Sequence, residues 1–451
     1  MAPRKSKTSR PAPPSRTLVL DNGAHTLKAG YVTDDDATTD ETPTVIPNCI
    51  ARDADRRVYV GHELDQCKDF SEIAFRRPVE KGFVVSWEAQ REIWDRQFFD
   101  ADAPQGPCDP SDTRLVLAEH SNSLPVLQSN CDQMIFEEYG FASYYRANGP
   151  SLNAYHDVQA IFRTPRDPAT VAQLPAECLL LIDTGYSNTT VTPLLQGRPL
   201  HSAVRRLDVG GKLLTNYLAR LISLRHYDMR NEPHIVNEMK EQACYVSLDF
   251  PADLEKAWKG TRGEKRPDYV TGGGIAKEYV LPDFHTRAKG IVRDFDPEQA
   301  GRARKLAKLG EATEDVLTLR NERFSVPELL FHPADIGLHQ SGLANLVWES
   351  LLAVPTGLWP ALLANVCVVG GNALFDGFIQ RLQKEIVKLV PDDCIVRVAR
   401  PANPITSTWV GGAKLARRTE EMAGLCVTKA EYEEFGGAWV ARRFASGGND
   451  T

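Results

Sequence analysis

Apolar positions 17–20 break off at Asp21-Asn22-Gly23, and a second apolar run follows over 25–32. Asn-Gly between two such runs signals a tight turn, so the pattern predicts a β-hairpin. The same design returns at 178–182, where Cys-Leu-Leu-Leu-Ile ends at Asp183-Thr184-Gly185 and residues 189–195 form the return strand. An unbroken apolar run suits a strand buried on both faces. Two copies of strand, Asp-x-Gly turn and strand point to an internal duplication of one α/β domain. Two unrelated hairpins are the plainer alternative. A third apolar run, 365–369, ends in Gly370-Gly371. Behind it Phe375, Phe378, Ile379, Leu382, Ile386 and Leu389 recur at helical spacing. Further helices are predicted over 89–99, 131–139, 212–222 and 233–246. Strands alternating with helices define an α/β class.

The segment 284–317 stands apart. Asp296-Pro297-Glu298-Gln299 has the form of a helix start, with Asp as N-cap and Pro in the first turn. The next residues, AGRARKLAKLG, are basic and helix-forming, and Gly310 suits a stop. This helix is either a solvated face or a contact for a partner or for DNA phosphate. The chain as a whole carries a net charge of −7, which excludes a general DNA-coating protein. Its 451 residues suggest two or three domains, and 42% hydrophobic with 25% charged residues is an ordinary globular balance. The nine cysteines are dispersed, with no C-x-x-C pair. That pattern argues against a zinc or redox site and for a reducing compartment. No apolar run reaches the length of a membrane helix. The opening MAPRKSKTSRPAPPSR has no apolar stretch of the secretory kind, and its charge and proline content predict a disordered arm. Such an arm serves nuclear import, touches DNA, or is a plain solvated tail.

The two Asp-x-Gly turns carry the candidate chemistry. Glycine lets backbone N–H groups approach a phosphate closely. An aspartate beside each turn, Asp21 and Asp183, can hold magnesium through water, and Lys28 can reach a phosphate as a point charge. The competing reading is that both aspartates only cap their turns through Asx hydrogen bonds. Other chemistries find no motif: there is no H-E-x-x-H and no G-x-S-x-G. Gly272-Gly273-Gly274 lacks the P-loop Lys-Ser pair and reads as a surface loop. Trp348 and Trp359 lie among apolar residues and read as core.

These segments also resemble a known family. TLVLDNGAHTLKAG is similar to the first phosphate loop of actin and the actin-related proteins, CLLLIDTG to the second, and VCVVGGNALFDGF to the adenosine loop. RRLDVGGKLLTNYL, KEQACYVSLDF, LRNERFSVPELLF and STWVGGAKLA follow in the family's order, so the resemblance spans about residues 17–444. YVGHELDQC, FRRPVEKGFVVSWEAQREIWD and EYVLPDF are most similar to a nuclear branch of the actin-related proteins.

The resemblance implies an actin-like fold of duplicated ribonuclease-H-like domains, with four subdomains around a nucleotide cleft. Domain I would take 17–140 plus 407–451, with a small subdomain at 44–77, after a basic arm at 1–16. Domain II would take 141–406, with a subdomain at 210–338 that carries the 284–317 insertion. Carried over by position, Asp21, Gly23 and Lys28 form the first phosphate loop and Asp183 and Gly185 the second. Gly211, Lys240 and Glu241 meet ribose and adenine, and Gly370, Gly371 and Phe375 form the adenosine loop. The implied cofactor is ATP or ADP with magnesium, and Gln133 matches the glutamine that orients the attacking water.

The departures from the family's pattern then shape the expectation. Ala24 and His25 stand where a serine and a glycine belong, and Tyr186 replaces an aspartate of the magnesium's water shell. Ser187 follows it, and Thr190 replaces a histidine that positions water, while Ile405 replaces a lysine that packs on adenine. Phosphoryl transfer depends on positioning and electrostatics, so these losses imply a pseudo-ATPase without catalytic residues. The short stretch between Ile50 and Gly61 leaves no long subunit-gripping loop, which implies that the chain does not polymerise. The implied role is a nuclear, non-catalytic scaffold of a SWR-class remodeller that exchanges a variant H2A histone. A presence in the cytoplasm as well is left open. Its implied partners are the motor subunit and a small zinc-finger HIT subunit, with nucleosomal DNA or histones as weaker candidates and no membrane. The opposing class is an actin-like or sugar-kinase-like ATPase that closes around ATP.

Overall fold

A computed structural model of the protein describes residues 14–32, 42–104, 106–162, 177–258, 274–309 and 314–445. In chain order its strands are β1 (Arg16–Asn22), β2 (Thr26–Val32), β3 (Thr44–Pro47), β4 (Ile50–Arg52), β5 (Val58–Val60), β6 (Ala74–Arg76), β7 (Val79–Glu80), β8 (Phe83–Val84), β9 (Thr113–Glu119) and β10 (Ser143–Asn148). The second half adds β11 (Cys178–Thr184), β12 (Thr189–Leu195), β13 (Arg198–Pro199), β14 (Arg205–Leu207), β15 (Lys277–Val280), β16 (Ile291–Asp294), β17 (Val316–Leu319), β18 (Val366–Val369), β19 (Val398–Ala399) and β20 (Val427–Thr428).

Two large mixed sheets repeat one plan. In the first, ordered β20-β10-β9-β1-β2-β3, the hairpin β1–β2 is antiparallel while β9 and then β10 continue in parallel on the other side. In the second, ordered β13-β12-β11-β18-β19, the hairpin β11–β12 is antiparallel and β18 and β19 continue in parallel. The duplication expected from the two Asp-x-Gly turns is therefore present as matching strand pairings. The apolar runs behave as expected of doubly covered strands. Leu180 and Ile182 enter one buried cluster while Leu179 and Leu181 enter another. On β1, Leu18 and Leu20 face one cluster and Val19 the other.

The expected division at 140/141 falls too early. Strand β10 lies in the first sheet and pairs with both β9 and β20, so the chain crosses to the second half only after Asn148. The first half is completed from the far end of the chain. Helix Ser407–Ala416 lays Trp409 against β1, and its indole Nε1 donates to the Val19 carbonyl at 2.9 Å. Gly30 on β2 must be glycine there, because a Cβ would lie 2.7 Å from the Trp409 ring.

Two smaller sheets, β5-β4-β6 and β16-β15-β17, sit on the two halves. In the first, only residues 53–57 join β4 to β5, closed by the Asp53 N–H donating to the Arg57 carbonyl. The short gripping region expected from sequence is thus a compact hairpin. The segment 284–317 supplies β16 and the first half of β17 to the second sheet, on either side of β15, so the segment is stitched into its subdomain. Asp296 caps helix Pro297–Lys308 by accepting from the Glu298 and Gln299 N–H groups, as its sequence predicts. Ala300 is half-buried, and the other described side chains of this helix are exposed. Trp348 and Trp359 meet edge-to-face at 5.1 Å against the larger core.

Several helix limits differ from expectation. Helix Trp87–Trp94 passes into a π-turn, Asp95–Phe99, and helix Pro125–Gln133 into another, Met134–Tyr139. Helix Gly211–Ser223 matches its prediction within one residue. Helix Pro233–Ala243 ends before the predicted 246, because Tyr245 and Val246 donate instead to the Arg323 and Asp376 carbonyls. All nine cysteines are free, seven of them buried. No helix among the described residues is long and apolar enough to cross a membrane. The basic arm up to residue 13, Gly272, Gly273 and Gly310 lie outside the described residues, whereas Arg16, expected in the arm, already belongs to β1.

Candidate nucleotide cleft

The two hairpin turns are built alike. Pairing ends at Asn22 with Leu27 in the first and at Thr184 with Thr189 in the second, leaving four residues in each turn. The tight Asn-Gly turn anticipated from sequence is thus a wider loop. Gly23 has no left-handed φ. It is required for space: a Cβ would lie 2.6 Å from the Thr26 carbonyl oxygen and 3.1 Å from Lys28 Nζ. Asn48 steadies this loop by donating through Nδ2 to the Gly23 carbonyl at 2.8 Å. In the second loop the Gly185 N–H donates to the Asn188 carbonyl at 3.1 Å.

The third glycine-rich segment docks onto the second loop. Gly370 has φ +93°, and a Cβ there would lie 2.3 Å from the Thr184 carbonyl oxygen. Only glycine meets both demands. Asn372 then donates through Nδ2 to the Gly185 carbonyl at 2.9 Å and to Thr184 Oγ1 at 3.2 Å.

Between the halves lies a cavity of about 440 Å³. All the residues singled out from sequence for nucleotide binding line it: Asp21, Gly23, Lys28, Asp183, Gly185, Gly211, Lys240, Glu241, Gly370, Gly371 and Phe375. Lys28 faces Asp21 across the β1–β2 ladder, with Nζ 3.3 Å from Oδ2. Asp183 makes no side-chain hydrogen bond among the described residues. Burial raises its pKa to about 6; nearby Asp21 adds to the rise, and His120 and Lys28 oppose it. Neither aspartate makes an Asx bond to its turn, so the capping alternative finds no support. A half-buried carboxylate short of partners, near a second carboxylate, fits a hydrated cation. Among the described residues no cluster of three metal-ligating groups occurs, so water and phosphate would complete the shell.

Lys240 and Glu241 are committed to their own helix and its neighbour. Lys240 Nζ donates to Asn237 Oδ1 at 2.8 Å, to Thr215 Oγ1 at 3.0 Å and to the Gly211 carbonyl at 3.4 Å. Burial lowers its pKa. Glu241 accepts from Asn237 at 2.8 Å and is exposed at the cleft edge. Leu374, Pro404 and Ile405 form an apolar wall beside them, a surface suited to a flat heterocycle.

The substituted positions meet one another. His25 and Tyr186, one from each loop, have ring centroids 4.6 Å apart. The Arg77 guanidinium lies over the Tyr186 ring at 5.2 Å and donates to the His25 carbonyl at 3.1 Å. Burial, then Arg77, Lys240 and Lys28, push the His25 pKa well below its ordinary value, so the ring is neutral near pH 7. Thr190, expected to replace a water-positioning histidine, lies in β12 opposite Asp183 and lines the cleft. Gln133, expected near the attacking water, is exposed at the end of its helix and lies outside the cleft lining.

Sequence reasoning missed His120, Asn188, Asn372 and Arg77. His120 Nε2 and Asn188 Oδ1 meet at 3.1 Å across the cleft, and Asn188 also donates to the Lys81 carbonyl at 3.2 Å. Asn372 directly follows the Gly370-Gly371 pair, which is its one local signal. The others have no local signal, since each acts across the interface between halves.

Comparison with known proteins agrees with this geometry. The family model described as Actin matches residues 12–445. A Neurospora crassa protein named Actin-related protein 6 is 67% identical over 98% of this chain and 97% of its own. Actin-like protein arp6 of Aspergillus fumigatus is 46% identical over 96% of this chain and 95% of its own. Actin-related protein 6 of Drosophila melanogaster is 35% identical over 94% and 99%.

Proposed function

The chain belongs to the actin family, and on that premise we propose that it is a non-catalytic scaffold subunit of a SWR-class chromatin remodeller that exchanges a variant H2A histone in the nucleus. One observation carries the non-catalytic part. The phosphate loops persist, while His25 and Tyr186 stand in contact where small or acidic groups would order water. Thr190 in β12 and Gln133 outside the cleft lining add to that reading, since these are the two positions expected to orient a nucleophile. The cleft retains the parts needed to hold a nucleotide. Lys28 and the loop glycines would meet the phosphates, Asp21 and Asp183 a hydrated magnesium, and Glu241, Gly370, Gly371 and Phe375 the nucleoside. Gly211 and Lys240 would support the ribose end. Bound ATP or ADP would supply charge that compensates Lys28 and bridges the halves; the chain's own groups bind and orient it.

For partners, we assign docking to the sheet β16-β15-β17 and the exposed basic helix Pro297–Lys308, with the motor and the zinc-finger HIT subunit as its targets. A helix of this length whose described side chains are exposed but for Ala300 is marginal alone in water, so a partner surface is its natural complement. Because β16 and β17 both pair with β15, removing 284–317 entire would unstitch the sheet. Charge reversal on the helix is the cleaner test. R302E/K305E, at two exposed positions, is expected to lose most of the motor and HIT subunits from affinity purification out of nuclear extract. Unchanged recovery would overturn the docking assignment.

The ATPase reading rests on the retained Asp21–Lys28–Asp183 cluster. Steady-state phosphate release by the purified chain decides it. We expect a rate roughly 100-fold or more below that of an actin with its water-orienting groups intact. Turnover equal to such an actin would favour the enzyme.

A further inference from the structure

The contact between His25 and Tyr186 is the inner end of a longer row. From Tyr186 the row runs to Arg77, whose guanidinium lies 5.2 Å from that ring and 5.5 Å from the ring of Phe75. Phe75 faces His234 at 6.3 Å, and His234 stacks on Phe70 at 4.0 Å with planes 10° apart. Phe70 in turn meets Phe284 at 6.3 Å. The first half of the molecule contributes His25, Arg77, Phe75 and Phe70, and the second contributes Tyr186, His234 and Phe284. Apart from the step between Arg77 and Phe75, which both belong to the first half, the members alternate across the cleft from the phosphate loops to the rim. Beside the row, the Glu72 N–H donates to the Glu232 carboxylate at 3.2 Å, again from one half to the other.

We propose that this row of side chains fastens the two halves across the mouth of the cleft, so that closure does not depend on a bound phosphate chain. Three properties support it. The row is continuous, so opening the mouth separates every cross-cleft pair together. It is made of rings and one delocalised cation, which attract face to face and edge to face and, when part-buried, resist exposure to water. Both histidines are held in the neutral form by burial, with Arg77 near each and Lys289 near His234, so the rings stack uncharged near pH 7. A ligand that closes a cleft does so by binding the closed form better than the open one. Here the protein's own side chains supply that difference. The inference stands apart from the assembly reading, since it concerns the isolated chain.

Hydrogen exchange on the full-length purified chain tests it, before and after nucleotide is stripped with a chelator and apyrase. Peptides covering 68–77 and 230–236 report on the rim, and those covering 178–184 and 366–369 report on the core. In the native chain the rim peptides should keep the same protection, within about twofold, whether or not ATP and magnesium are added back. In F70A/Y186A, with nucleotide stripped, they should exchange about tenfold faster or more while the core peptides stay unchanged. Y186F, which keeps the ring, should behave as the native chain does. Native rim peptides that lose their protection on stripping, or a double variant as protected as the native chain, would overturn the proposal.

Discussion

Asp183 illustrates how much a single side chain discloses. Its carboxylate lies at the end of β11 without a hydrogen bond, and its pKa is raised to about 6 by burial and by Asp21. A carboxyl raised above its unfolded value destabilises the charged form, so the penalty is present above pH 6 and vanishes below about pH 4. Replacing Asp183 with Asn should therefore stabilise the protein at pH 7.5 by about 1–3 kcal/mol, seen as a higher melting temperature. The gain should disappear in melts at pH 4. No gain at pH 7.5 would mean that the charge is already compensated. The residue scale is also where sequence served best: every glycine and carboxylate singled out for nucleotide binding lines the cleft. His25 and Tyr186 were legible as oddities, but their contact was not. They are far apart in the chain, and only the facing of the two loops makes them neighbours.

Helix Pro233–Ala243 links three regions at the element scale. Its first turn carries His234 at the rim, its last turn carries Lys240 and Glu241 at the cleft, and between them Glu238 accepts from Tyr279 of β15 at 3.2 Å. His234 has its pKa lowered to about 4, first by burial and then by Lys289 and Arg77. A histidine lowered below its unfolded value resists protonation only when folded. Its contribution to stability is complete above about pH 6.5 and is lost as pH falls towards 4. Denaturant titrations of H234F against the native chain should show the native losing about 1–2 kcal/mol more over that window, with solvent screening allowed for. His25 is lowered in the same sense and will tilt both curves together. Parallel curves would remove His234 from the explanation. Elements with strong periodicity or a clear cap were readable in advance, as the Asp296 cap shows. The π-turns at Asp95–Phe99 and Met134–Tyr139 were not, because they keep the helical spacing of apolar residues and change only the backbone bonding.

For the whole molecule, the duplication was legible because each half repeats a strand, an Asp-x-Gly turn and a strand. The allotment of chain to halves was less so. β10 enters the first sheet through parallel pairing with β9, a register that composition at 140 does not announce. That same sheet has a consequence for how the protein is made. Its edge strand β20 and the helix bearing Trp409 follow β10 by more than about 250 residues, whereas β1 precedes it. At bacterial-to-eukaryotic elongation rates of roughly 5–20 residues per second, β1 to β10 wait some tens of seconds for their final partners. The second half, by contrast, can close around β11, β12, β18 and β19 while the ribosome is still at work. On that order of synthesis the later half is complete first, and the opening strands spend the interval without β20 beside β10 and without Trp409 over β1.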